Sequence, residues 1–321
     1  MISIFRKYKE FGILGINQRV GEFILPKNPR KYFPLVDDKW KTFELAKLNS
    51  VPMPNHFGKI DAFGEVKKFY SMLDESKSFV IKPANGGMGN GILVIQNSYE
   101  NSSGIRTFEK SGGKLLSEKE IRHHISGILS GLYSLDGNSD TAILQEKLSL
   151  HPFFQNMSFQ GIPDVRVIVY LGYPILAMLR LPTKDSGGRA NLHQGAIGVG
   201  VDLISGTLTS AVHYDKRIWK HLDTGVEFAG LVLPFWKQIL YMACRCYELS
   251  NLGYLGVDIV LDEKRGPILL EMNARPGLGI QIANLMGLLP RLKLVDQLCE
   301  LKLSPEERAE RMLDLLKQRL T

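Results

Sequence analysis

The stretch from Gly253 to Gly279, GYLGVDIVLDEKRGPILLEMNARPGLG, constrains the fold more than any other part of the chain. Two apolar runs of strand length flank a charged turn, which is the pattern of an antiparallel hairpin. Each run carries one acid, Asp258 in the first and Glu271 in the second. A turn centred between Lys264 and Arg265 sets Asp258 directly opposite Glu271. Facing β-carbons lie roughly 4.5–5.5 Å apart, where two carboxylates repel unless something binds both. Asn273, two residues beyond Glu271, points to the same face. Two carboxylates and an amide oxygen, with no thiolate or imidazole nearby in sequence, describe a site for a hard cation, Mg2+ or alternatively Mn2+. The competing reading is an Asp258 that faces a loop and a Glu271 paired with a lysine.

The rest of the chain bounds what such a hairpin can serve. At 321 residues it can bury a substantial core in one large domain or a few lobes. Hydrophobic residues make up 44% and charged residues 23%, an ordinary globular balance, and the net charge of +7 favours anionic ligands. No basic run is interleaved with aromatics, so no nucleic-acid partner is expected. Three cysteines, Cys244, Cys246 and Cys299, make a poor disulfide framework and point to a reducing compartment. The opening MISIFRKYKEFGILG has no continuous apolar segment and no small-residue cleavage site. The most apolar later stretch, 226–244, is interrupted by Glu227, Pro234 and Lys237, so no membrane span is expected. These features predict a soluble, cytoplasmic protein.

Residues 1–37 are basic and irregular, with Pro26, Pro29 and Pro34 against long helices. A helix is expected from Asp38 to Leu48, burying Trp40, Phe43, Leu45 and Leu48. Strands are expected at 78–83, 91–96 and 141–148. Ser117-Glu118-Lys119-Glu120 is a capping box that opens a helix running to about Leu132. DVRVIVYLG and YPILAMLRLP form a hairpin around Gly172, and 234–249 form a helix burying Trp236, Leu240, Ala243 and Tyr247. Ser304-Pro305-Glu306-Glu307 starts a last helix. The class is α+β, with antiparallel hairpins and helices.

Three further stretches carry chemistry. In VIKPANGGMGNGILV, Lys82 leaves a strand into a turn with glycines at 86, 87, 89 and 91. It is neither a P-loop nor a dinucleotide fingerprint, because no Gly-Lys-Ser/Thr follows and a strand, not a helix, comes next. A point charge beside backbone that a polyanion can approach still suits phosphates; the bland reading is a flexible hairpin tip. In ILQEKLSLHP, Gln145, Glu146 and Lys147 end an apolar strand, a place where backbone groups can read a purine. DVRV, MLRLP and GRANLHQG bring Asp164, Arg166, Arg180, Arg189 and Asn191 into one hairpin system, where arginines can clamp phosphate or carboxylate oxygens.

Taken in order, a lysine with a glycine-rich hairpin, a strand ending Gln-Glu, Asp-x-Arg, Arg-x-Asn-x-His and Asp…Glu-x-Asn resemble the ATP-grasp superfamily. The nearest resemblance is to RimK-like α-L-glutamate ligases and to sugar-transfer-associated ATP-grasp proteins, over about residues 37–285. It implies an ATP site between two α+β lobes with antiparallel sheets, and two magnesium ions. The implied domains are a short N-terminal segment, 1–37, a small lobe, 38–148, and a large lobe, 149–321. By motif, Lys82 resembles the phosphate-binding lysine and Lys39 the earlier nucleotide lysine, with Gly86, Gly87 and Gly89 in the glycine-rich loop. Gln145, Glu146 and Lys147 fall where relatives contact adenine, and Asp164, Arg189 and Asn191 match other nucleotide contacts. Asp258, Glu271 and Asn273 match the metal ligands, and Arg180 matches a residue that stabilises the transferred phosphoryl group. Arg166, His193 and Arg275 are candidates for substrate contact, although His193 reads first as structural and Arg275 equally as a salt-bridge partner.

The chain departs from these ligases in having only 37 residues before the helix that begins at Asp38, where a pre-ATP-grasp lobe of domain length usually stands. The acceptor site is then either simplified, using Asn17, Arg19, Arg30 and Lys31, or completed by a second copy or another chain. The expected activity is ATP-dependent joining of a carboxylate to an amine through an acylphosphate, with a small molecule, peptide or protein as acceptor. Three rivals stand beside it: an ATP-grasp kinase acting on a hydroxyl, a D-alanine–D-alanine-type ligase, which the R-x-N-L-H match disfavours, and a non-catalytic nucleotide-binding module. The presence of Lys82, Asp258, Glu271 and Asn273 together disfavours the last.

Overall fold

The computed structural model describes residues 10–73, 75–87, 89–134, 137–298 and 302–319. Cys299 and most of the opening basic stretch, 1–9, therefore lie outside the described residues. The chain divides into two compact units, one within Asp38–Phe43 and Met53–Ser149, the other within Met1–Asp37, Glu44–Pro52 and Leu150–Thr321.

The first unit is built on a six-stranded antiparallel sheet. Its strands are β1 (His56–Ile60), β2 (Phe79–Pro83), β3 (Leu93–Glu100), β4 (Arg106–Lys110), β5 (Leu115–Ser117) and β6 (Ala142–Glu146), in the order β1-β6-β2-β3-β4-β5. Alternation along the strands puts Ile60, Phe79, Ile81, Phe108 and Leu144 on one face, in a core completed by Ile121, Ile125 and Ile128. Those isoleucines belong to a helix at Glu118–Leu129 that opens with the expected capping box, Ser117 and Glu120 each bonding the other's backbone. It ends three residues earlier than expected, and β3 starts at Leu93 because Gly91, at φ +74°, still belongs to the turn.

Helix α1 (Lys39–Leu48) is capped by Asp38, whose Oδ1 accepts from the backbone of Trp40 and Lys41. Its expected apolar face is not the buried one. Leu48 is 83% exposed, and the buried residues are Thr42 and Ala46.

The second unit carries a seven-stranded antiparallel sheet. Its strands are β7 (Asp164–Tyr170), β8 (Tyr173–Leu181), β9 (Ile197–Val201), β10 (Leu208–His213), β11 (Lys216–Ile218), β12 (Tyr254–Asp262) and β13 (Gly266–Asn273), in the order β11-β10-β9-β8-β7-β12-β13. Helix α2 (Trp236–Ser250) packs on β7, β8, β12 and β13 through Trp236, Ile239, Leu240 and Ala243. Tyr247, expected inside, is only half-buried. The cysteines Cys244 and Cys246 are buried in this helix and unpaired. A short helix α3 (Gly279–Asn284) lies on β8, β9 and β10, and α4 (Pro305–Gln318) packs on α2. Among the described residues no helix is long and apolar enough to cross a membrane.

The β7–β8 hairpin turns through Leu171 and Gly172, both at positive φ, which is the two-residue turn that matches strand twist. A β-carbon on Gly172 would sit 2.4 Å from Nε of the buried Arg308, which donates to the Gly172 carbonyl. Gly172→Ala is therefore expected to lower stability by about 2–3 kcal/mol, from backbone strain plus a rigid clash. Denaturant unfolding of the variant checks this; a change below about 0.5 kcal/mol would contradict it.

Candidate functional site

The register of the seven-stranded sheet brings the sequence-predicted acids and arginines together on one face. Asp258 pairs across strands with Glu271 on one side and Arg166 on the other, and Asp164 pairs with Arg180. Arg166 grips Asp258 with two parallel bonds, Nε to Oδ1 at 2.7 Å and Nη2 to Oδ2 at 2.6 Å. Arg180 donates Nε to Asp164 at 2.5 Å and Nη2 to Asp258 Oδ2. All four side chains are buried, Asp258 completely. Ions removed from water persist only when this fully paired.

The two aspartates are driven apart electrostatically. Burial raises Asp164, and the Asp258 charge adds to that, so its carboxyl sits at about 7 despite Arg180. Burial would also raise Asp258, but the Arg166 and Arg180 guanidiniums outweigh it and hold this carboxyl well below the usual range. Glu271, 37% exposed, lies 4.0 Å from Arg166 Nη2.

Among the described residues no three His, Cys, Asp or Glu side chains converge as a cage. The donor set is instead two carboxylates completed by the Asn273 amide. A carboxylate oxygen accepts about two hydrogen bonds. Asp258 takes one guanidinium bond on Oδ1 and two on Oδ2, and the Glu271 carboxyl lies within side-chain hydrogen-bonding reach of it. The residues fit a hard divalent ion.

Beyond β13, Asn273 Oδ1 accepts from the Arg275 backbone at 2.8 Å and opens the turn. The N-terminal segment fastens this region. Asn28 donates to the carbonyls of Tyr254 and Ala274 and accepts from Tyr254 N, and Arg19 Nη1 donates to the Pro276 carbonyl. Gln281 likewise bonds both backbone groups of Leu14. Neither Asn28 nor Gln281 carries a sequence signal, because each satisfies backbone more than 200 residues away.

Of the two readings of Arg275, the structure shows the salt bridge: it pairs with Asp37 at 3.0 Å and lies over Phe33. Of the expected acceptor residues, Arg19 is bound to the Pro276 carbonyl, while Asn17, Arg30 and Lys31 are exposed. Asn191 accepts from His193 N and caps a short turn, and Arg189 and His193 are exposed. The Glu146 carboxylate accepts from both the backbone and the side chain of Asn55, so it ties β6 to the start of β1.

In the six-stranded unit, Lys82 is 4% exposed on β2, and Gln145 is 5% exposed on the same face, opposite Val80. Lys39 donates Nζ to the carbonyls of Gly86 at 2.6 Å and Ala84, holding the start of the glycine-rich turn. Asp140 accepts from the backbone and side chain of Asn85, and His124 bonds the Gly91 carbonyl at 2.9 Å. The turn carrying Gly86, Gly87 and Gly89 is thus anchored at both ends. Lys147 follows the end of β6 and is half-buried.

The chain is 23% identical over 258 residues to "Probable alpha-L-glutamate ligase" of Haemophilus influenzae strain PittEE, covering 80% of this chain and 61% of that protein. It is 23% identical over 241 residues to the protein of the same name in strain 86-028NP, covering 75% and 56%. It therefore spans less than two thirds of either relative's length. Among solved structures, one similar fold is the biotin carboxylase domain of the 2-oxoglutarate carboxylase from Hydrogenobacter thermophilus, in complex with MgADP, ADP and bicarbonate. The TM-score is 0.50 at 15% identity, over 86% of this chain and 49% of that chain. The model of the sugar-transfer associated ATP-grasp family matches residues 18–297. With most of its length inside that match and with the α+β fold it implies, this chain belongs to the sugar-transfer associated ATP-grasp family.

Proposed function

We propose that the protein is an ATP- and magnesium-dependent carboxylate–amine ligase. The observation that supports this best is the buried Asp164–Arg180–Asp258–Arg166 network, with Glu271 and Asn273 beside it on one sheet face. A substrate carboxylate oxygen attacks the γ-phosphorus of ATP, the bond to the ADP oxygen breaks, and an acylphosphate forms. An amine nitrogen then attacks the acyl carbon. The carbon–oxygen bond to phosphate breaks, phosphate leaves and the amine gives up a proton.

The protein's part is alignment and charge neutralisation. Lys82 and the backbone of Gly86, Gly87 and Gly89 are assigned to the phosphates, with Lys39 supporting the turn. Gln145 and the strand end at Lys147 are assigned to the base. Arg180 spends Nε and Nη2 on the two aspartates, so its remaining nitrogen is assigned to the transferring phosphoryl oxygen. When bound, magnesium would neutralise phosphate oxygens, and Asp258 Oδ1, Glu271 and Asn273 are the groups to hold it. No nucleophilic side chain is required. Burial pushes the Cys244 and Cys246 thiols up and makes them inert, and two buried free thiols also suit a reducing cytoplasm.

The test is an ADP- and phosphate-release assay against a panel of small acids and amines, glutamate first, with mass spectrometry of products. Release of both ADP and phosphate that depends on an acid and an amine together, with an amide product, is expected. ADP release without free phosphate, giving a phosphorylated hydroxy compound, would replace the ligase reading with a kinase.

A further inference from the structure

Strand β9 reads IGVGV, and its glycines let a helix lie directly on the sheet. A β-carbon on Gly200 would stand 2.6 Å from the Ala283 carbonyl oxygen of α3. The far end of α3 is tied down by Ser210, which donates to the Ala283 carbonyl at 2.6 Å, and by Asn284, which donates to the Ala177 carbonyl at 2.8 Å. At Leu285 the backbone turns through φ +51° and the helix ends. Beyond that turn a cavity of about 360 Å³ opens against β8, β9 and β10, a volume in the range of small-molecule sites. None of the groups assigned above to ATP or magnesium lines it. Leu176, in its wall, lies four residues from Arg180 along β8, roughly 13 Å at the rise of a strand.

The cavity is lined by two guanidiniums, Arg217 and Arg291, by the Asp202 carboxylate, and by apolar side chains that include Leu176, Leu285 and Met286. Arg291, on the helix Leu289–Asp296, is half-buried and donates Nη1 to the Ile175 carbonyl at 2.8 Å. Asp202 Oδ1 accepts from the backbone and the hydroxyl of Ser205 at 2.8 and 2.6 Å. Among the described residues Nε and Nη2 of Arg291 and Oδ2 of Asp202 have no partner. Burial lowers the pKa of Arg291 and the Asp202 charge works the other way, so the two groups feel each other without forming an ion pair. Opposite charges in a partly desolvated cavity attract strongly and ordinarily close on one another. Here separate backbone anchors hold them apart. Arg217, on β11, is exposed and lies over the Trp219 ring at 5.5 Å, again with no carboxylate partner among the described residues.

We propose that this cavity binds a free α-amino acid with an apolar side chain. Its carboxylate meets Arg291 and Arg217, its ammonium meets Asp202, and its side chain lies against Leu176, Leu285 and Met286. A zwitterion carries both charges on one carbon and so completes both walls at once. A plain anion would leave Asp202 beside a like charge, and a plain cation would face two guanidiniums. An uncharged apolar ligand would take water from all three ions and pair none of them. The site is separate from the one proposed to join carboxylate to amine, and it does not depend on that reading.

Titration calorimetry of the full chain without nucleotide, using L-leucine, N-acetyl-L-leucine and L-leucinamide, tests this. Leucine is expected to bind. Acetylation removes the ammonium charge and amidation removes the carboxylate charge. Each change should weaken binding about tenfold or more, the contribution of one charge-assisted hydrogen bond. Arg217→Met and Arg291→Met should each weaken leucine binding to a similar degree. No binding of leucine at millimolar concentration overturns the proposal. Equal binding of N-acetyl-leucine overturns it too, since the cavity is then a plain anion site, and equal binding of leucinamide removes the part given to the guanidiniums. Leucine affinity untouched by both variants puts the amino acid elsewhere, the ligase site included, and is equally fatal. Should Arg291→Met fail to fold, Arg217→Met, at an exposed residue, and the two analogues on the wild type still decide.

Discussion

Replacement of Asp258 by asparagine is expected to lower unfolding free energy by about 3–5 kcal/mol and to abolish ADP release. The carboxylate is completely buried and takes three hydrogen bonds from two guanidiniums. Asparagine keeps the shape, but it leaves the buried Arg166 and Arg180 with too little compensating charge. Two neighbouring substitutions separate structure from chemistry. Asp164→Asn should cost far less, because burial and the neighbouring Asp258 charge raise that carboxyl and already disfavour its charged form. The sign follows: a carboxyl raised from about 4 to about 7 by folding favours the fold most at low pH. Wild type should lose ground to Asp164→Asn as pH rises from about 4 to about 7. Glu271→Gln, at a residue more than one third exposed, should leave stability near that of wild type. Its ADP release should still fall roughly a hundredfold or more if Glu271 holds the metal. Denaturant midpoints of the three variants, read beside their ADP release, check the pattern. Equal destabilisation by Asp258→Asn and Asp164→Asn would refute the electrostatic division drawn here.

How much of this was legible in the sequence depended on whether the signal was local. The capping box at Ser117 is four consecutive residues, and it formed as read. The pairing of Asp258 with Glu271 also holds, but by a different route. The turn is centred on Lys264, with Gly266 at φ +69° and Asp262 Oδ1 accepting from the backbone of Lys264 and Arg265. That shifts the register by one, and a bulge at Leu270 shifts it back before the acids meet. The bidentate grip of Arg166 on Asp258 could not be read, because it depends on β7 pairing with β12, strands 92 residues apart at this contact. The same holds for Arg275 and Asp37, 238 residues apart. Helix α1 shows the opposite failure. Its aromatic residues have the spacing of a core-facing stripe, yet Trp40 and Phe43 pack on the His56 ring, and small Thr42 and Ala46 take the buried positions. Periodicity shows that a face is special without saying what lies against it.

Lys82→Met is expected to weaken ATP binding by about 10- to 100-fold. A charge-assisted hydrogen bond to phosphate contributes roughly 1.5–3 kcal/mol, and methionine, of similar length, supplies none of it. The ammonium is 4% exposed in the folded chain, so a melting curve beside the affinity separates a lost phosphate contact from a variant that merely misfolds. A third readout comes from His56. Its pKa is depressed first by burial and second by the Lys82 charge. Removing the charge should move the ring's titration upward but leave it below 6.5, the ordinary value, because the larger cause remains. Calorimetry with ATP, a melting curve and an NMR titration of the ring measure all three on one sample. If ATP affinity survives the substitution, Lys82 does not meet the phosphates. If the His56 titration also stays where it was, the lysine's charge does not reach the imidazole.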